Sequence, residues 1–260
     1  MQIAPSQRLH VEEHGEGHPL LLIEGLGQSM WAWSEQLPVF ARRYRTIAFD
    51  ARGTGRSLVP EEPYGIGELA HDAADILDGR SAHVVGLSMG GYVALTLALA
   101  RPELVRSLVL AGTGAGGPDR VPRPQGVRDA YAAAIGLPFD VYGRTTMPMT
   151  FSPGWTERNP ERFEEILAAR NEHPTPDVTL DAHLRACYAF YSGGCEVERI
   201  DVPALVLHGD EDVIVPVENG RMLASRLPNA RYIELPGRGH NLPLEDPETF
   251  NQLVMEFLEG

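Results

Sequence analysis

Cysteine is nearly absent: Cys187 and Cys195 are the only two in 260 residues. That count argues against a fold stapled by disulfides, and we expect two free thiols in a reducing cytoplasm rather than a bridge. Long apolar runs are missing too. No stretch approaches the roughly 18 residues that a membrane span needs, so no membrane association is expected. The first residues, Met1-Gln2-Ile3-Ala4-Pro5-Ser6, lack a basic start followed by an apolar core, so no signal peptide is expected. Positive charge is short, with 22 Lys+Arg against 36 Asp+Glu and a formal net charge of −14. A phosphate backbone would repel such a surface, which argues against a nucleic-acid partner. Internal repeats and low-complexity tracts do not occur.

What is present is ordinary globular composition, 43% hydrophobic, at a length that one α/β unit can hold. Residues 7–15 alternate weakly and run into Gly15-Glu16-Gly17, which reads as an entry hairpin. Leu20–Ile23 is a continuous apolar run, as expected of a strand covered on both faces. Residues 31–43 read as a helix, 45–49 as a strand and 65–79 as a helix. Strand patterns recur at 82–85, 105–111, 203–207 and 231–235, with helices at 217–227 and 246–258. Strands alternating with helices predict an α/β fold, a mostly parallel sheet with helices on both faces. Residues 113–199 break that alternation. They are rich in proline and aromatics, with helical stretches near 125–136, 138–146, 160–173 and 179–192. Two strands need far fewer residues for a simple crossover. The expected division is therefore a core of 1–112 and 200–260 and an inserted helical cap, or lid, of 113–199.

Gly86-Leu87-Ser88-Met89-Gly90 carries the chemistry. It lies between a buried-strand pattern and a helix of small residues that ends at Arg101-Pro102. Serine on so sharp a turn must take a strained backbone conformation, and glycines at 86 and 90 relieve collisions with neighbouring elements. A serine hydroxyl is a poor nucleophile without a base, so partners are expected downstream. Leu205-Val206-Leu207-His208-Gly209-Asp210-Glu211-Asp212 is an apolar strand opening into an acidic loop. The strand Arg231–Leu235 leads into Pro236-Gly237-Arg238-Gly239-His240. Ser88, Asp212 and His240 all fall just past strand ends, where open α/β sheets collect their sites.

These motifs, with Asp50-Ala51-Arg52-Gly53-Thr54-Gly55-Arg56-Ser57, resemble those of the α/β-hydrolase family over nearly the whole chain. General similarity points to small serine esterases and lactonases of the 3-oxoadipate enol-lactonase and non-metal haloperoxidase branch. The resemblance implies Ser88 as nucleophile, His240 as general base and then acid, and Asp212 as the group orienting His240. Within G-D-x-D it assigns that role to the second aspartate and leaves Asp210 to tighten the loop. It implies an oxyanion hole from the backbone N–H groups of Leu26 and Met89. At Glu24-Gly25-Leu26-Gly27 the chain departs from the family's H-G-x-G, with Glu24 in the histidine position. Two readings stand: Glu24 braces the loop through its own hydrogen bonds, or it touches the site.

Candidate pocket residues are Leu26, Met89, Trp31 and Trp33 from the core. From the insert they are Tyr131, Phe139, Tyr142, Met147, Met149, Phe151, Trp155, Tyr188 and Tyr191. The insert shows no obvious cationic cluster, which makes highly anionic substrates less attractive, although Arg128, Arg144 and Arg185 stand within it. His10, His14 and His18 recur at metal-ligand spacing, but Gly15 and Gly17 interrupt them, and no metal or cofactor is expected. The expected activity is hydrolysis of small to medium carboxylic esters or lactones through an acyl-serine. A carbon–carbon hydrolase or thioesterase on the same residues is the alternative, and a small-molecule receptor is the alternative of another class. Serine at 88 argues against epoxide hydrolases and haloalkane dehalogenases, which use aspartate there, and Leu26 disfavours perhydrolysis.

Overall fold

Seven strands form one sheet in the computed structural model, which describes residues 9–260. The leader reading of Met1–Ser6 lies outside the described residues, as do Gln7 and Arg8. The strands are β1 (Val11–His14), β2 (Pro19–Ile23), β3 (Arg45–Phe49), β4 (Ala82–Leu87), β5 (Val105–Ala111), β6 (Ala204–Gly209) and β7 (Ala230–Leu235). Their order is β1-β3-β2-β4-β5-β6-β7. Every neighbouring pair is parallel except β1 with β3. The expected entry hairpin is therefore corrected. Both edges of β2 are occupied by β3 and β4, so β1 takes the free edge of β3, with Val11 opposite Phe49.

Side chains alternate across the sheet with period two and feed two cores. Leu21, Ile23, Val84, Leu108, Leu110 and Val206 face helices α2 (Ile66–Leu77), α3 (Met89–Ala100) and α9 (Val217–Arg226). Leu20, Leu22, Val85, Val109, Leu205 and Leu207 face α1 (Leu37–Phe40) and α11 (Pro247–Glu259), where Phe40, Phe250 and Val254 pack. The helix expected at 31–43 is broken. Met30–Trp33 forms a 3-10 turn and α1 restarts with Pro38 in its first turn, where a missing N–H leaves no bond unmade.

Five helices lie between β5 and β6: α4 (Gln125–Ala134), α5 (Phe139–Thr146), α6 (Trp155–Arg158), α7 (Pro160–Glu172) and α8 (Asp177–Gly193). They hold a small core of their own, with Met147, Phe151, Trp155, Phe163, Ile166 and Leu167 closing on Leu244 of α10 (Leu242–Glu245). Helix α8 returns over the sheet, stacking Phe190 on Tyr92 of α3 at 4.4 Å between ring centroids. This packing roofs the C-terminal ends of the central strands and leaves a cavity there.

Candidate active site

Ser88 is the single residue between β4 and α3, with φ 55° and ψ −114°. A side chain at positive φ is strained, so its surroundings must hold it. Ser88 N donates to Ala111 O at 2.8 Å, and Ser88 O accepts from Gly91 N and Thr113 Oγ1 at 2.9 Å each. The flanking glycines are dictated by space. A Cβ at Gly90 would sit under 3.0 Å from Ile23 O, and one at Gly86 would meet Gly90 O as closely. The hydroxyl faces the cavity, and Ser88 Oγ has no hydrogen-bond partner among the described residues. Such a bond often closes only once substrate binds.

Asp212 follows β6 and His240 follows β7. His240 Nδ1–H donates to Asp212 Oδ2 at 2.7 Å, which leaves Nε2 with its lone pair. Asp212 Oδ1 accepts from the N–H groups of Ile214 and Val215, both at 2.8 Å. His208, fully buried on β6, places Nε2 3.2 Å from Asp212 Oδ2 and 2.8 Å from Val215 O. Burial by itself would raise the Asp212 pKa. The neighbouring His240 and His208 overcome that and hold the carboxyl well below the usual carboxylate range. Asp210 turns away and accepts from Gly237 N at 2.6 Å, tying the β6 loop to the β7 loop.

The Glu24–Gln28 loop follows β2. Gln28 clamps Gly25 through Gly25 N to Oε1 at 2.9 Å. Helix α8 and its approach hold Gly27 from above: Gly27 N donates to His183 Nδ1 at 3.2 Å, and Thr175 Oγ1 donates to Gly27 O at 3.0 Å. Among the described residues the N–H groups of Leu26 and Met89 have no acceptor. Two such donors, one at a helix N-terminus beside a strained serine, make a seat for a developing oxyanion. Glu24 lies behind this loop. Its Oε1 accepts from Ala51 N at 2.7 Å, joining the end of β2 to the turn after β3, while Oε2 has no partner. Burial drives its pKa well above the usual value, and the Asp50 carboxylate adds to this. The contact that Glu24 makes is thus a brace between β2 and the turn after β3.

The cavity holds about 670 Å³ and opens onto Ser88 and His240. Leu26, Trp31, Tyr131, Met147 and Tyr188 line it, as do Tyr142 and Tyr191. Six expected pocket residues do not: Trp33, Met89, Phe139, Met149, Phe151 and Trp155. Trp33 lies two positions past Trp31 on a 3-10 turn, so it points away, into the core against Phe250. Phe151 and Trp155 stack on each other at 4.3 Å inside the core of the insert. Phe139 lies flat beneath the Arg170 guanidinium at 3.5 Å. Met89 buries its side chain in the α3 core and offers the site only its N–H. The charge reading also needs correction. Arg120, Arg123, Arg128 and Arg170 all line the cavity, and none of its lining residues among those described is acidic. Arg144 and Arg185 turn outward to pair with Glu164 and Asp181.

The family model described as the alpha/beta hydrolase fold matches residues 18–247. The chain belongs to the α/β-hydrolase family. Its curated relatives include a protein of Azorhizobium caulinodans provisionally named carbamate hydrolase RutD. That protein is 32% identical over 252 residues, covering 96% of this chain and 94% of the relative. Among solved structures, an enol-lactonase from Burkholderia xenovorans matches with TM-score 0.84 and 26% identity over 97% of this chain and 96% of its own. A thermophilic esterase from Thermogutta terrifontis matches with TM-score 0.83 and 26% identity, covering 96% and 93%.

Several residues of this hydrolase's site escape sequence reasoning. His208 sits beside Gly209-Asp210, yet nothing local says that its ring turns back onto Asp212. His183 lies 156 positions from Gly27, which it holds. Arg123 falls in the run Val121-Pro122-Arg123-Pro124, whose spacing carries no sign that it faces inward.

Proposed function

We propose that Ser88, His240 and Asp212 work as a catalytic triad that hydrolyses small to medium carboxylic esters or lactones. The observation that carries this reading is the convergence on one cavity of a strained, half-buried serine, two unused backbone N–H groups and an aspartate-held histidine. His240 Nε2 takes the Ser88 Oγ proton as Oγ attacks the carbonyl carbon. The oxyanion forms against the Leu26 and Met89 N–H groups, and Asp212 stabilises the imidazolium. The C–O bond then breaks, and His240 returns its proton to the leaving alcohol oxygen. Water, deprotonated by His240, attacks the acyl-Ser88 carbonyl and releases the carboxylic acid and the free hydroxyl. No step in this route calls for a metal or cofactor. Residues 113–199 act as a cap that walls the cavity, and the two free thiols support a cytoplasmic setting.

The likeness to an enol-lactonase and to an esterase supports the ester and lactone reading. The 32% identity to a relative provisionally named carbamate hydrolase favours a carbamate as second substrate class, since its carbonyl meets the same nucleophile. The experiment is turnover of p-nitrophenyl esters from acetate to decanoate, a lactone panel and a carbamate panel, each repeated with Ser88→Ala. Ester or lactone turnover should fall by about 10⁶ in the variant. Turnover surviving in Ser88→Ala overturns the nucleophile. Turnover confined to carbamates moves the substrate class to the second reading.

A further inference from the structure

Twelve of the 21 described arginines pair with carboxylates, as in Arg52–Asp72, Arg162–Glu35, Arg221–Glu234 and Arg238–Asp246. All four arginines on the cavity are among the nine that do not. Among the described residues Arg120, Arg123, Arg128 and Arg170 make no ion pair, although the chain carries 14 more acidic than basic side chains. Arg128 is exposed to water, but Arg120 and Arg123 are half-buried and Arg170 is buried, and a charge withdrawn from water is costly unless an opposite charge meets it. The carboxylate that follows β6, Asp212, does not serve, because both its oxygens are bound by His240, His208 and backbone N–H groups.

Two of the four are fixed in place. Arg123 donates from Nε to Ile214 O at 3.0 Å, in the loop that carries Asp212, and its guanidinium lies 4.8 Å over the Tyr131 ring. No partner engages its two terminal nitrogens among the described residues. Arg170 is 6% exposed. Its Nη1 donates to Phe139 O at 2.8 Å and Asn171 Oδ1 at 3.1 Å, leaving Nη2 unbonded. Its guanidinium lies 3.5 Å over the Phe139 ring and 6.0 Å from the Tyr142 ring. Burial lowers the Arg170 pKa to about 10, which still leaves it cationic at neutral pH. Tyr131 and Tyr142 meet edge to face at 6.4 Å, so the two cations flank one aromatic pair. Side chains pinned in this way lose little freedom when a ligand binds, and a planar guanidinium suits a planar carboxylate.

We propose that Arg123 and Arg170, steadied by Tyr131 and Tyr142, form a subsite for a free carboxylate on the substrate. The preferred substrates are then half-esters or lactones of dicarboxylic acids, whose second carboxylate docks here while the acyl carbon meets Ser88. This inference rests on the hydrolase reading above.

The test compares kcat/KM for p-nitrophenyl hydrogen pimelate with that for p-nitrophenyl heptanoate, which differ only in the terminal carboxylate. The ratio should favour the acid by about tenfold or more and shrink as salt rises. Arg123→Met and Arg170→Met should each lower the ratio by about tenfold, and Arg144→Met, on an outward pair, should leave it alone. Thermal melts check folding, and Arg123→Met decides the matter if Arg170→Met does not fold. A ratio that is the same in the wild type and Arg123→Met overturns the subsite while leaving the esterase intact. If the wild type turns over neither ester, the esterase reading fails, and calorimetry with pimelate decides the subsite. Pimelate binding that weakens about tenfold in Arg123→Met supports it. No pimelate binding, or binding of inorganic phosphate in its place, overturns it.

Discussion

Replacing Glu24 with glutamine should open a stability gap that widens with pH. Glu24 is 1% exposed and its carboxyl receives one hydrogen bond, from Ala51 N at 2.7 Å. Burial, aided by the Asp50 charge, raises its folded pKa well above the 4.5 of an ordinary glutamate carboxyl. The unfolded chain therefore loses the Glu24 proton near that value, while the fold retains it to higher pH. Between those two points the folded state binds the extra proton, so wild-type stability falls as pH rises, by at most about 1.4 kcal/mol per pH unit. Glutamine keeps the carbonyl oxygen for Ala51 N and does not ionise. All other titrating groups are shared and cancel in the difference. The two proteins should be close at pH 5, and Glu24→Gln should be the more stable at pH 8. Each kcal/mol corresponds to about 2–4 °C in melting temperature for a chain of this size. Urea or thermal unfolding at half-unit steps from pH 5 to 8 reads the gap. A gap that stays flat, or a wild type that gains on the variant as pH rises, would refute the argument and show Glu24 ionised in the fold.

Three further outcomes can be checked. Gly90→Ala forces a Cβ against the carbonyl oxygens of Ile23 and Glu24, both backbone, so it should destabilise by about 1–3 kcal/mol or prevent folding, seen by circular dichroism and urea unfolding. His183→Leu leaves Gly27 N–H without its acceptor beside Leu26. It should lose about 1–3 kcal/mol of stability and lower kcat more than it raises KM; a pure KM effect would count against the loop-holding role. Burial pushes His183 down to about 4, so the unfolded chain takes up a proton near 6.5 that the fold refuses. Wild-type stability should therefore decline relative to His183→Leu as pH falls from 6.5 toward 4. Asp212→Asn removes the charge that holds His240 Nδ1–H and should lower kcat on the order of 10³–10⁴-fold with the melting curve still cooperative.

Much of the fold was legible because its causes are local. Runs such as Leu20–Ile23 and Leu205–Leu207 are apolar at every position, and only a strand covered on both faces tolerates that. The turn around Ser88 was readable for the same reason: the close approach of Gly86 and Gly90 to backbone oxygens admits no side chain. Order along the chain placed Asp212 and His240 past the ends of β6 and β7, and the parallel sheet brings them to the same end as Ser88. Local pattern failed where a partner was distant. The pairing of β1 depended on which strand edge stayed free, and the helix expected at 31–43 is interrupted between the 3-10 turn Met30–Trp33 and α1, which starts only at Leu37.

Backbone sterics and side-chain period within a few residues suffice for the alternating α/β core, the strained serine turn and the downstream acid and histidine. Which residues of the insert face Ser88 depends instead on packing between distant parts of the chain. Trp31 and Trp33 have the same chemistry, yet one lines the cavity and the other fills the core. Phe139 looks like a pocket wall and serves as the bed of Arg170. The cationic lining was invisible for that reason. An arginine's direction is set by the ring it stacks on and the carbonyl it reaches, and the carbonyls that Arg123 and Arg170 reach lie 91 and 31 positions away.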